Sequence, residues 1–189
     1  MRKKRYRVGV VGSGGTGKTT LGMVLSEKLD IPFLASKKVT QEILRKEGYD
    51  YNSGVQVERF LAQGSRQDRI FKRTVEEQKK HVSFVTDRTV IDLAAYAIVE
   101  LYDSDPKKVE KMFRACNKHV SRYTHIVVCP WGIKPLLDNK LRTLNSWYQY
   151  IISSLCLNIL NHWRVPFHVL QSLDERQRIK EVLKFLQRR

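Results

Sequence analysis

The run Gly12-Ser13-Gly14-Gly15-Thr16-Gly17-Lys18-Thr19 has the spacing G-x-x-x-x-G-K-[ST], and every residue type in it has a task in holding phosphate. Glycine admits backbone geometry closed to other residues, so successive N–H groups can turn inward as an anion nest. The lysine can reach β- and γ-phosphates, the threonine hydroxyl can meet Mg²⁺, and a helix starting at the motif adds the partial positive charge of its N-terminus. A Gly-rich turn that matches by accident is the bland alternative. Against it stand the apolar run Arg7–Val11 before the motif and the helical pattern after it, the context the motif requires. Residues Gly12 to Thr20 are therefore the expected nucleotide cradle, with Lys18 in the reaction, Thr19 on the metal, and ATP and Mg²⁺ as cofactors. Thr20 itself reads as a helix-packing residue rather than a second metal ligand.

A second constellation is "FVTDRTVIDLAAYA", Phe84 to Ala97. A carboxylate at the carboxyl end of a strand beside such a loop can hold Mg²⁺ or take a proton from an attacking hydroxyl. Asp87 is the expected carboxylate for both, and Arg88 either clamps a phosphate or pairs with Asp87. The bland reading makes Asp87 the N-cap of the next helix, with Thr89 competing for that position. Asp92, in the first turns of that helix, is balanced between a catalytic and a structural part. Further on, "PWGIKPLLDNKLRTLNSWYQYI" begins as a loop and passes into a helix. A basic loop there is where phosphotransfer enzymes keep a lid that excludes water, so a lid is expected over about 130–143. Its Lys134, Lys140 and Arg142 would neutralise charge on the transferring group, or else are ordinary surface cations.

The elements that must position these residues alternate along the chain. Short apolar runs at Arg7–Val11, Ile31–Ala35, Val82–Thr86, His125–Cys129 and Pro166–Leu170 read as strands covered on both faces. Helical patterns fall at about Lys18–Leu29, Lys38–Glu47, Val57–Lys80, Val90–Tyr102, Pro106–Ser121, Leu144–Trp163 and Glu175–Gln187. Pro106 after Ser104 and Asp105 is a good helix start. Five strands joined by helical crossovers predict a parallel α/β sheet, built as one domain over 1–189.

Composition adds a constraint on partners. Lys and Arg number 35 against 19 Asp and Glu, a net charge of +16. That much positive charge costs self-repulsion and helps a protein that handles a polyanion, so contact with DNA is expected; a solubility surface is the plainer account. The cations cluster at the N-terminus, on the helix carrying Arg59, Arg66 and Arg69, on the helix from Lys107 to Arg122, and from Arg176 to the end. The cysteines Cys116, Cys129 and Cys156 are odd in number and lack a CxxC spacing, as expected of small apolar residues in a reducing cytoplasm. No run approaches a membrane span or a secretory signal's apolar region.

Taken together, GSGGTGKTT, the strand-end TDRTVIDLAAYA, the lid-like KPLLDNKLRTLN and the later VPFHVL resemble the P-loop kinases of nucleosides and nucleotides. Within these, the chain looks most like the small kinase-like ATPases of bacteriophages and those beside the nicotinamide riboside kinases. The resemblance implies a five-stranded parallel sheet in the order 2-3-1-4-5, flanked by helices and closed by a lid. It implies an acid–Arg motif at Asp87 and Arg88, and lid cations at Lys140 and Arg142. The chain departs from the pattern after the second strand, where such kinases keep an acidic base. Here "FLASKKVTQ" offers Ser36, Lys37 and Lys38 and nothing acidic before Glu42, which moves the base role to Asp87 and suits a polyanionic acceptor. The chain is thus similar to phage kinases that phosphorylate the hydroxymethyl group of 5-hydroxymethyluracil in DNA. Arg59, Arg66, Arg69, Lys37 and Lys38 would then meet DNA phosphates. Phe60, Phe71 or Tyr96 would stack on a base out of its duplex and Gln63 would read its edge, unless these are ordinary core and surface residues. A kinase of a free nucleoside or nucleotide, in which those arginines bind a monophosphate, and a nucleic-acid-binding ATPase without an acceptor are the competing expectations.

Overall fold

The computed structural model describes residues 5–50, 52–53, 66–132 and 145–187. β1 (Arg7–Val11) is the centre of the sheet, and Val8, Val10 and Val11 are wholly buried. It leads through the glycine-rich loop into α1 (Lys18–Leu29). β2 (Phe33–Leu34) and α2 (Ser36–Lys46) follow, then α3 (Arg66–Lys79) and β3 (Phe84–Thr86). α4 (Val90–Leu101), α5 (Pro106–Val120) and β4 (His125–Val128) come next, and α6 (Ser146–His162), β5 (His168–Val169) and α7 (Glu175–Gln187) complete the chain.

All strand pairs are parallel, and the order is β2-β3-β1-β4-β5, the order the resemblance implied. Successive strand residues feed two cores, as the two-residue period of a strand requires. Val11, Phe84, Ile126 and Val128 pack against residues of α4, α5 and α6. Val8, Val10, Val85 and Val127 pack against α1 and α7. The registers Gly9↔Thr86 and Val11↔Val128 set the carboxyl ends of β1, β3 and β4 side by side, at the edge where ligands bind in open parallel sheets.

Three differences from the sequence reading have physical causes. β2 and β5 are shorter than the apolar runs Ile31–Ala35 and Pro166–Leu170: Pro32 and Pro166 have no N–H to give to a ladder at their starts, and Ala35 already serves as the cap of α2. α2 begins at Ser36 rather than Lys38, so Lys37 and Lys38 lie in its first turn. Of the helix read over Val57–Lys80, the described part is helical over Arg66–Lys79; Arg59, Phe60 and Gln63 lie outside the described residues. So do Lys134, Lys140, Arg142 and most of the expected lid. Asp105 caps α5 by accepting from the Lys108 N–H, with Pro106 at the first helical position as read. Cys116, Cys129 and Cys156 are buried and form no disulfide. Among the described residues no helix is long and apolar enough to cross a membrane.

Candidate active site

The loop between β1 and α1 is built so that its amides are available. Gly15 and Gly17 take φ of 80° and 84°, left-handed geometry that an L side chain rarely adopts. α1 starts after Gly17 with no side-chain cap, and its first turn carries no acid. Its orphan N–H groups and partial positive charge are therefore left for an anion. The Ser13 carbonyl accepts from the Thr16 hydroxyl at 3.0 Å and from Lys18 Nζ at 2.5 Å. Burial lowers the Lys18 pKa from the ordinary lysine value, and the nearby Asp92 carboxylate works against that shift.

Asp87 is 3% exposed and stands at the end of β3, across from this loop. Its Oδ2 accepts from the Thr19 hydroxyl at 2.6 Å, and its Oδ1 accepts from the Ser36 N–H, at the start of α2, at 2.7 Å. The two residues expected to meet a metal are thus in direct contact. Asp87 is not a helix cap: Thr89 takes that position and accepts from the Ile91 and Asp92 N–H groups. Asp92 proves to be a bracket. Its Oδ2 accepts from the Thr89 N–H at 2.8 Å and hydroxyl at 2.7 Å, closing a capping box, and its Oδ1 accepts from the Gly12 N–H at 3.1 Å. With both oxygens held by loop and cap groups and 1% exposure, Asp92 fixes the start of the loop to the start of α4.

Arg88 does not pair with Asp87. Its guanidinium lies 4.9 Å above the Tyr96 ring. Tyr96 leans on Tyr148 at 6.4 Å, and Tyr148 donates to Glu100 at 3.4 Å. Glu100 also accepts from Gln67 at 2.7 Å and pairs with Arg66. Arg69 pairs with Glu47 at 3.2 Å and Arg73 with Glu42, so these cations of α3 are engaged by the protein's own acids. Phe71 packs edge-on against His119 beside the core, in the manner of a core residue. Lys37 and Lys38 are exposed, immediately after the Ser36 N–H that holds Asp87. The basic clusters of α5 and α7 fall on opposite faces of the sheet, since their apolar sides join different cores.

Thr20 corrects the sequence reading. It is exposed, because it sits on the side of α1 turned to a pocket rather than to the sheet. That pocket lies between α1 and α7, lined by Gly17, Thr20, Leu21, Val24, Glu175, Arg178 and Ile179. Two residues that sequence reasoning missed also touch the loop. Arg178, counted only as part of a basic tail, is 2% exposed; it donates to the Thr16 carbonyl at 3.2 Å and the Ser172 carbonyl at 2.8 Å. Gln149 of α6, equally buried, accepts from the Gly14 N–H at 2.7 Å. A signal existed for Arg178 in its place among Ile179, Val182 and Leu186, on the apolar face of α7. None existed for Gln149.

Residues 7–178 match the family described as an AAA domain. The chain belongs to that family. No curated protein matches this AAA-domain chain. Among solved structures, it is similar to deoxyadenosine kinase from M. mycoides with bound dATP, with a TM-score of 0.66 and 13% identity over 96% of this chain and 99% of that one. It is also similar to thymidylate kinase from Ehrlichia chaffeensis, at TM-score 0.61 and 14% identity over 97% and 100%. Shikimate kinase from Acinetobacter baumannii, in complex with shikimate, gives TM-score 0.61 and 15% identity over 97% and 93%. The AAA-domain chain therefore has the P-loop kinase fold.

Proposed function

We propose that the protein is an ATP-dependent kinase that phosphorylates a hydroxyl on a nucleic acid, with the 5-hydroxymethyl group of 5-hydroxymethyluracil in DNA as its acceptor. The observation that carries the phosphotransfer reading is the contact of Asp87 with Thr19 on one oxygen and with the start of α2 on the other. A carboxylate and a hydroxyl, both hard oxygen donors, at the mouth of a phosphate loop fit Mg²⁺ shared with substrate phosphates. Among the described residues no cluster of three or more His, Cys, Asp or Glu offers a different metal site. Mg²⁺ bound there would neutralise charge on the β- and γ-phosphates.

The loop amides and Lys18 hold the triphosphate, and the pocket between α1 and α7 takes the base of the nucleotide. Asp87 accepts the proton of the acceptor hydroxyl as its oxygen bonds to the γ-phosphorus and the bond to ADP breaks. Arg88 stands beside Asp87 on the acceptor side. Burial opposes its charge, but Tyr96, Asp92, Asp87 and Glu100 outweigh that and raise its pKa, so it remains a cation for the transferring group. Lys134, Lys140 and Arg142, outside the described residues, are the further cations this reading assigns to the transferring group.

The nucleic-acid acceptor rests on two supports: the net charge of +16, and the exposed Lys37 and Lys38 where an acidic base would discriminate against a polyanion. Two lysines in the first turn of α2 oppose its helix dipole, a local cost that a phosphate-bearing acceptor would offset. The second reading, a kinase of a free nucleoside or its monophosphate, is favoured by the pairing of Arg66 and Arg69 with Glu100 and Glu47, which removes two cations from a strand-binding surface. Transfer from γ-labelled ATP, with Mg²⁺, separates the readings when run on thymine DNA, 5-hydroxymethyluracil DNA, and free hydroxymethyldeoxyuridine and its monophosphate. Label is expected in the modified polymer alone. Label only in the small molecules establishes the second reading, and phosphate release with no labelled acceptor makes the protein an ATPase.

A further inference from the structure

The peptide group joining Ser13 to Gly14 is held from both sides. Its carbonyl receives Lys18 Nζ at 2.5 Å and the Thr16 hydroxyl at 3.0 Å. Its N–H, on the opposite edge of the same plane, donates to Gln149 Oε1 at 2.7 Å. A peptide plane is rigid, so whatever fixes the direction of its N–H fixes the direction of its carbonyl. Gln149 therefore sets where the carbonyl that receives the Lys18 ammonium points.

We propose that Gln149 is the positioning residue for Lys18, acting through the Ser13–Gly14 peptide, and that it ties the phosphate loop to α6. The proposal rests on the loop being a nucleotide-phosphate site, and is independent of which acceptor receives the phosphate. Two observations support it beyond the hydrogen bond. Gln149 is 2% exposed, a buried amide on a helix whose neighbouring Trp147, Tyr150 and Ile151 are exposed. The amide lies flat against the loop: a Cβ added at Gly14 would stand 3.0 Å from Oε1 and 3.4 Å from both Cδ and Nε2. Lys18 is also the loop cation that must travel, from the Ser13 carbonyl to the β- and γ-phosphates, when nucleotide enters.

With the peptide pinned, the ammonium waits at the phosphate end of the loop and keeps a hydrogen bond in a setting that disfavours its charge. Without Gln149, the Gly14 N–H loses this acceptor and the peptide is held from its carbonyl side alone, so the lysine's starting point is less well defined.

The test is a double-mutant cycle on the full chain, read by calorimetric binding of MgATP without any acceptor. Gln149→Met keeps the length of the side chain and removes the acceptor oxygen. It is expected to weaken MgATP binding about tenfold in the wild-type background, the scale of one hydrogen bond. With Lys18→Ala already in place, the same change should cost about twofold or less, because there is no ammonium left to position. Gly14→Ala, which displaces the amide from the loop side, should show the same dependence on Lys18. Equal losses in both backgrounds, or a lowered Tm with unchanged MgATP affinity, would make Gln149 a packing residue and overturn the proposal. A wild-type chain that binds neither ATP nor GTP would overturn the phosphate-loop reading beneath it, and with it the proposal, a result distinct from any pattern among the variants.

Discussion

The two halves of the site are held in different ways. On the donor side, the phosphate loop is braced by three buried side chains from three helices: Asp92 on Gly12, Gln149 on Gly14 and Arg178 on the Thr16 carbonyl. Each takes a backbone group at the loop's edge and leaves the inward amides and the start of α1 open. On the acceptor side, the cations are divided. Arg66, Arg69 and Arg73 are paired with acids, whereas Lys37 and Lys38 stand exposed beside Asp87. A tightly braced donor half is what positioning a phosphoryl group demands, since misplacement by about 1 Å can cost about a hundredfold in rate. On the acceptor side, selectivity would fall on the exposed cations of α2, Lys37 and Lys38.

The largest effect expected from this contrast lies at Asp87, the residue the halves share. Asp87→Asn keeps a hydrogen-bond acceptor for Thr19 or Ser36 but removes the base and one charge for the metal. Turnover should fall by about 10²–10⁴-fold while nucleotide binding changes far less. Single-turnover transfer beside calorimetric ATP binding checks it, and a nearly wild-type rate would remove Asp87 as the base. Next in size is the paired change Lys37→Ala and Lys38→Ala. For a DNA acceptor, kcat/KM should drop about tenfold and the salt dependence of binding should flatten by between one and two charges; a free nucleoside should respond less than about twofold. An equal response from both acceptors would mean that these lysines serve α2 and not the substrate.

Arg66→Ala sharpens the comparison from the other direction. If its pairing with Glu100 is its working state, the change leaves the Glu100 carboxylate without its cation and lowers Tm on the order of 3 °C, with acceptor use unchanged. A loss of DNA-dependent turnover without a change in Tm would show instead that Arg66 leaves Glu100 for a phosphate, and would return α3 to the acceptor surface.

The donor half was legible in the sequence because its parts are contiguous. The spacing from Gly12 to Thr19 and the strand-to-helix context define a phosphate loop without reference to the rest of the chain, and Asp87 follows from the end of the next-but-one strand. The sheet was legible for the same reason, apart from strand ends that proline shortens. The braces were not. Gln149 and Arg178 reach the loop across 135 and 162 residues, and a glutamine among tyrosines or an arginine in a basic helix looks the same in sequence whether it faces solvent or a loop carbonyl. Asp92 shows the intermediate case: its place in the first turn of α4 allowed a capping part, but the bond to Gly12 needed the register of β1 beside β3. Net charge was the least informative feature, because it counts Arg66, Arg69 and Arg73 alongside Lys38 and cannot see the acids that occupy them.

The smallest effect concerns the cost of the braced half when no phosphate is present. Burial lowers the Lys18 pKa in the folded chain, so the unfolded chain holds the proton more tightly than the folded one. Below the folded-state pKa the folded protein carries a penalised ammonium. As pH rises through that value toward the ordinary lysine pKa of about 10.4, the penalty disappears, and stability rises relative to a chain without the group. Lys18→Met keeps the stem and removes the charge. At pH 7 and without nucleotide it should raise Tm on the order of 2 °C, and the advantage should shrink as pH approaches 10. Thermal unfolding of both proteins across that range measures the difference directly, with other titrating groups common to the two. A pH-independent difference would mean that the Ser13 carbonyl and Asp92 fully compensate the ammonium, and the contrast between the halves would rest on hydrogen bonding alone.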